Sequence, residues 1–255
     1  SLFALVGIAC AMASRGPAPV HIATAPAPSD SERYCAWYGD RREDVLYFGA
    51  SPFWNAARDA GGDAMADMRE AGPQVIGRFD LSSESLLAPL STAAAAPRAG
   101  VWDVLAHPNG RVYYTTFYES AGWVDPATGA TSRFESAGTG LNELALLPDG
   151  RVLASRYGTA VGGNGSVVIL DPEGDVEAEL PLASDADVVA AAKSLAYDPI
   201  RQVVWVNTDL LPRDGGPSRH DARVLEVATG REILRIATPE LQFPRFASDG
   251  RGLFA

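Results

Sequence analysis

The sequence predicts an all-β fold, a β-propeller built of four-stranded antiparallel blades. Two observations predict it: one hairpin unit recurs along the chain, and a second, different hairpin unit falls between its copies. The first unit reads "VWDVLAHPNGRVYYTTF" over 101–117, "LNELALLPDGRVLASRY" over 141–157, "AKSLAYDPIRQVVWVNT" over 192–208 and "FPRFASDGRGLFA" over 243–255. Each copy is a short apolar strand, a turn built on Asp/Asn-Gly or Asp-Pro, and a second strand rich in β-branched and aromatic residues. The second unit reads "IGRFDLSSESLLAPL" over 76–90, "AGWVDPATGATSRFE" over 121–135, "VVILDPEGDVEAELPL" over 167–182 and "VLEVATGREILRIATP" over 224–239. In its Asp-Pro-x-x-Gly form, Pro presets the first turn dihedral and Gly supplies the positive φ that closes the hairpin. A β-sandwich has no need of the same two turn types in strict alternation.

Two hairpins make a blade, and the half-unit "CAWYGDRREDVLYFGAS" over 35–51 completes the first one. The count is four blades and half of a fifth. A ring without a wide gap takes about six or seven, so the propeller, placed over 34–255, is expected to continue beyond Ala255.

Ahead of it, residues 1–13 hold the apolar run "LFALVGIACAMA", too short to span a bilayer and of the length of an export signal whose basic start is missing. Two processing readings stand open: an Ala-x-Ala cleavage site at Ala11-Met12-Ala13, or lipid attachment at Cys10 after "VGIA". Residues 14–33 are Pro/Ala/Ser-rich without periodicity and read as an extended tether. The expected location is therefore outside the cytoplasm, periplasmic or membrane-anchored, with any anchoring made through a lipid on Cys10. Cys35 is the only other cysteine, which leaves the folded part no internal disulfide and points to a small buried hydrophobe.

The formal charge of −11 and the scattered arginines exclude a nucleic-acid partner, which needs a clustered basic surface. A soluble monomer is the expected state.

In a propeller the two tight turns of each blade lie on one face, and the loops between second and third strands lie on the other with the links between blades. All elaboration falls on that second face: 51–74, 158–166 and 210–222, with the links 91–100 and 183–194. Within 51–74, "DAMADMREAG" has an N-cap at Asp63 and a C′ glycine at Gly72, the pattern of a short helix over which Met65 and Met68 pack down on the blades. "GTAVGGNGS" leads into a strand rather than a helix, so it reads as a flexible loop and not a phosphate cradle. The binding face expected here presents Trp54, Arg213, Arg219, His220 and Asp221. His220 beside Asp221 has the chemistry of an acid or base, whereas His107, before Pro108 in a tight turn, has a turn role.

Asn142 and Glu143 precede an innermost strand, where side chains reach the central channel. Two readings stand for them: a channel-mouth pair, or a turn-capping Asn with a solvent-facing Glu. Asp103 is in the same position one blade earlier, and alternation along the strand points it away from the side that Trp102 takes.

"GLNELALLPDGRVLAS" resembles the lead-in of the gluconolactonase/regucalcin-like propellers, and "WVDPATGATSRF" is similar to NHL and streptogramin-lyase-like repeats, a blade-level likeness over 35–255. The first resemblance implies a divalent cation such as Ca²⁺ or Mg²⁺ at the channel mouth, held by a Glu of the first blade and by Asn and Asp residues of others. Asn142 matches the Asn ligand and Asp103 the Asp. Trp102 replaces the family's Asn, Lys193 stands where its ligand-and-base Asp belongs, and Arg33, with Glu32 adjacent, falls at the first-blade acid. A Lys ammonium in a dication's shell repels it.

The function expected is thus an exported cell-envelope module that binds a small molecule or an envelope protein through its long-loop face. The alternative is a metal-dependent lactonase-like or lyase-like enzyme, and a third reading is a purely structural scaffold.

Overall fold

The computed structural model describes residues 34–35, 39–52, 75–96, 100–116, 120–158, 163–238, 245–246 and 253–254. The expected export signal and tether with Cys10, Glu32 and Arg33, the helix expected around Met65 and Met68, Trp54, and the side chain of Cys35 lie outside the described residues.

Four antiparallel sheets follow one another in chain order, one for each pair of hairpins. The first is β2 (Gly39–Arg42), β3 (Val45–Pro52), β4 (Val75–Asp80) and β5 (Ser85–Ser91), with β1 (Tyr34–Cys35) beside the far end of β3. The second is β6 (Val101–Ala106), β7 (Val112–Thr116), β8 (Ala121–Val124) and β9 (Thr131–Arg133). The third is β10 (Leu141–Leu146), β11 (Val152–Arg156), β12 (Ser166–Leu170) and β13 (Val176–Pro181). The fourth is β14 (Val188–Asp198), β15 (Val203–Pro212), β16 (Arg219–Glu226) and β17 (Glu232–Thr238). A further pair, β18 (Arg245–Phe246) and β19 (Leu253–Phe254), opens a fifth.

The turns form as their chemistry dictates. Gly129, Gly174 and Gly230 close the outer hairpins at positive φ, and Gly110 and Gly150 close two inner ones. Asp125 and Asp171 cap the outer turns, each accepting from the turn's own amides, such as Ala127 N at 2.8 Å and Gly174 N at 2.8 Å. Gly174 is doubly constrained, because a Cβ there would also stand 1.9 Å from the Phe134 ring of the preceding blade. Three turns depart from the pattern by placing an ordinary side chain in the left-handed region: Glu43, Glu84 and Gln202, at φ 55°, 51° and 54°.

Apolar side chains fill the space between neighbouring sheets. Tyr47, Ile76, Val101, Val112 and Tyr114 pack blades one and two together. Leu105, Tyr113, Phe134, Leu141 and Leu170 join two and three, and Leu153, Val167, Leu195, Val204 and Val206 join three and four. Burial of each such side chain contributes roughly 1.5–3 kcal/mol. The tight turns also touch across blades. His107, in the turn as expected but only 3% exposed, accepts from Asn109 N through Nδ1, so the proton on Nε2 is donated to Gly150 O at 2.7 Å. Tyr113 donates to Pro172 O of the third blade, and within the second blade the Arg111 guanidinium lies 4.0 Å over the Trp123 ring.

Asp198, in the β14–β15 turn, is buried, which raises its pKa. Hydrogen bonds from the Arg201 side chain and from the amides of Arg201 and Ile200 outweigh burial, and the net direction is down. A carboxyl with a lowered folded-state pKa stabilises the fold above its unfolded value and loses that contribution as pH falls through the folded one. The melting-temperature gap between wild type and Asp198→Asn is therefore expected to be open at pH 7 and to close at acid pH, as thermal scans would read.

Two glycine exchanges should have opposite signs in chemical denaturation. Gln202→Gly relieves the left-handed strain and is expected to stabilise by about 1 kcal/mol, while Gly174→Ala, which meets the Phe134 ring, is expected to cost more than about 1 kcal/mol.

Candidate functional site

At the start of the innermost strands of the second, third and fourth blades the ladder slips by one residue. β6 shifts register between Val101 and Asp103, β10 between Leu141 and Leu144, and β14 between Ala192 and Ser194. A bulge interrupts strict alternation, and here Val101, Trp102, Asp103 and Val104 are all buried in succession. The bulge aims carboxylates along the ring. Asp103 Oδ2 accepts from Leu144 N of the next blade at 2.8 Å, and Glu143 Oε2 accepts from Leu195 N of the blade after that at 3.0 Å. Asp40 Oδ2 makes the same kind of bridge from the first blade to Ala106 N at 2.9 Å. Ser194 occupies the corresponding place in the fourth blade.

Glu143 is thus 0% exposed, neither solvent-facing nor open to a channel. Asn142 caps no turn either: its Nδ2 donates to Lys193 O of the next blade at 2.7 Å, and its Oδ1 is buried with no hydrogen-bond partner among the described residues. Thr115 Oγ1 donates to Asn142 O at 2.6 Å, and Glu143 N donates to Ser155 Oγ at 3.0 Å. The residues that the lactonase-like resemblance assigns to a cation therefore hold neighbouring blades together. Among the described residues, no three His, Cys, Asp or Glu side chains stand together to hold a metal ion.

Titratable groups converge instead at the long-loop end of the fourth blade. β14 and β15 run 11 and 10 residues, against 6 and 5 for β10 and β11. Because Asp198 and Val203 pair beside the tight turn, the extra length projects toward the opposite end. On it Asp209 pairs with Ala191 on one side and with His220 on the other. The Asp209 carboxylate, 12% exposed, accepts from His220 Nδ1 at 2.9 Å through Oδ1 and from the Tyr157 hydroxyl at 3.0 Å through Oδ2. The Lys193 ammonium stands 4.0 Å from the same Oδ1. These donors and this cation stand in for the water that so nearly buried a carboxylate gives up.

The structure therefore unites His220 and Lys193 through Asp209, with Asn142 adjoining at the Lys193 carbonyl. Arg213 and Arg219 are exposed at the same end, Arg213 with its amide donating to Asp187 O at 2.9 Å. Asp221 goes elsewhere. It takes Arg223 Nε at 3.0 Å and Arg235 Nε at 3.1 Å, and the fully buried Arg223 reaches on to Ala183 O in the link from the third blade. Asp221 and Arg223 thus hold the blade to its neighbour.

Asp209 and Tyr157 escape sequence reasoning. The one signal for Asp209 is an acid inside the apolar run "VVWVNTDLLP", an expensive place for a charge that lacks a partner. Tyr157 gives none, since it comes from the preceding blade.

No protein-family model matches the sequence, and no curated protein matches it. Solved structures do. Hydrazine synthase of Kuenenia stuttgartiensis aligns with a TM-score of 0.57 at 14% identity, over 82% of this chain and 57% of that one. The extracellular domain of a one-component system of B. thetaiotaomicron aligns with 0.52 at 12% identity, over 82% and 23%. The Dos1 propeller aligns with 0.50 at 12% identity, over 81% and 48%. This chain thus spans less than two thirds of each of these three. At such identities the likeness concerns the fold, and with four successive four-stranded antiparallel sheets it makes this protein a β-propeller.

Glu143→Ala removes the acceptor of Leu195 N and leaves that buried amide unsatisfied. Denaturant titration is expected to show a loss of about 1–3 kcal/mol.

Proposed function

We propose that this β-propeller is an exported binding module that takes a small ligand on its long-loop face, at the Asp209, His220, Lys193 and Tyr157 cluster. The observation that carries the reading is the Asp209 hub. A nearly buried carboxylate is held by groups from two blades at the end where the fourth blade's strands are prolonged, with side chains 12–20% exposed. Binding sites bring a few converging polar groups together at a solvent-accessible edge, as this cluster does. Export rests on the apolar leader and the Pro/Ala-rich tether, with Cys10 or the Ala-x-Ala site as the processing point.

The buried, unpartnered Asn142 Oδ1 supports a second reading, in which a divalent cation binds beside Lys193 and assists lactonase-like or lyase-like chemistry.

Thermal unfolding in the presence of neutral sugars and polyols, small organic acids, amino acids, and Ca²⁺, Mg²⁺, Mn²⁺ or Zn²⁺ separates the two. A ligand at a hundred times its Kd stabilises the folded state by about 2.7 kcal/mol. An organic ligand whose midpoint rise disappears in Asp209→Asn and His220→Ala is the expected result. A rise with one cation alone, abolished in Asn142→Ala, would establish the second reading in its place.

A further inference from the structure

We infer that Asp209 and His220 form a proton-accepting pair, and that the ligand of this face is an uncharged hydroxylated compound whose O–H is donated to His220 Nε2. The inference rests on the binding reading above and specifies its chemistry.

The tautomer follows from geometry. A carboxylate can only accept, so His220 Nδ1, 2.9 Å from Asp209 Oδ1, carries the proton. In the neutral ring that leaves Nε2 with a lone pair. His220 Nε2 has no hydrogen-bond partner among the described residues, and the side chain keeps 20% of its surface exposed. Asp209 is itself oriented: the Tyr157 hydroxyl holds its second oxygen at 3.0 Å. Orienting hydroxyl, carboxylate and imidazole thus stand in series, the arrangement that fixes an imidazole for proton transfer.

The acceptor selects the ligand's donor. The Lys193 cation stands beside the Asp209 carboxylate at 4.0 Å and offsets its charge, and a lone-pair acceptor at Nε2 calls for a donor, which an uncharged hydroxyl supplies. The ligand O–H is donated to Nε2, and the positive charge this draws onto the ring is stabilised by the Asp209 carboxylate at Nδ1.

His107 offers an internal control, because its Nδ1 accepts from Asn109 N and its Nε2 is engaged with Gly150 O. Diethyl pyrocarbonate acylates an imidazole nitrogen through its lone pair: an N–C bond forms, ethyl carbonate leaves as carbon dioxide and ethanol, and the ring proton is released. Peptide mass spectrometry of the treated folded protein is expected to show modification at His220 and protection of His107. Asp209→Asn allows the opposite tautomer and is expected to slow the His220 reaction by about ten-fold or more. An unreactive His220, or an unchanged rate in Asp209→Asn, would overturn the inference. If Asp209→Asn does not fold, nitrogen NMR of the wild-type ring reads the same property: a protonated Nδ1 with a bare Nε2 supports the pair, and the reverse tautomer refutes it. These readouts need no ligand, so they fail independently of the thermal panel. An organic ligand that stabilises the protein but leaves His220 unprotected from the reagent would keep the binding reading and sink this one.

Discussion

A carboxylate on one innermost strand, accepting the backbone N–H of the next, is the interaction on which the rest of this molecule depends. Asp40, Asp103 and Glu143 each make it, one blade after another. Hydrogen bonds to a charged acceptor contribute roughly 1.5–3 kcal/mol, and at Asp103 and Glu143 a bulge turns the side chain along the ring rather than above or below its own sheet. With innermost strands fixed in this way, the apolar faces behind them are brought to packing distance, and the three inter-sheet cores fill with Leu, Val, Ile and aromatic side chains.

The same anchoring sets up the long-loop end. Asn142 ties to the Lys193 carbonyl, Glu143 to the Leu195 amide, and Arg223 to the Ala183 carbonyl, so the third and fourth blades cannot shift relative to each other without breaking charged or buried bonds. Tyr157 from the third blade can therefore be aimed at Asp209 of the fourth with the accuracy a polar site needs. Asn142 and Glu143 are thus spent on holding the third and fourth blades together, and the Asp209 cluster lies on the prolonged strands beyond them.

The fold was legible in the sequence because turn chemistry is local. "HPNG", "LPDG", "DPATG" and "DPEG" each carry their own closing glycine and hydrogen-bonding side chain, and every hairpin marked by them is present. The turns that lack glycine, at Glu43, Glu84 and Gln202, close within the units read over 35–51, 76–90 and 192–208. The site was less legible because it depends on register and bulges. Whether Asp103 and Trp102 part company, or whether Glu143 sees solvent, turns on a single slipped residue that no periodicity records. Asp209 acquires its meaning only when β15 is set beside β16 in the register that opposes it to His220. Asp221, adjacent to His220 in sequence, faces a different set of partners for the same reason.

The interblade bridges also have a direction. In each of them the carboxylate belongs to the earlier blade and the amide to the later one, over separations of 66, 41 and 52 residues. Each of the first three blades therefore carries on its innermost strand the charged acceptor for the blade that follows it, so one repeated polar contact gives the ring a single sense from the first blade to the fourth.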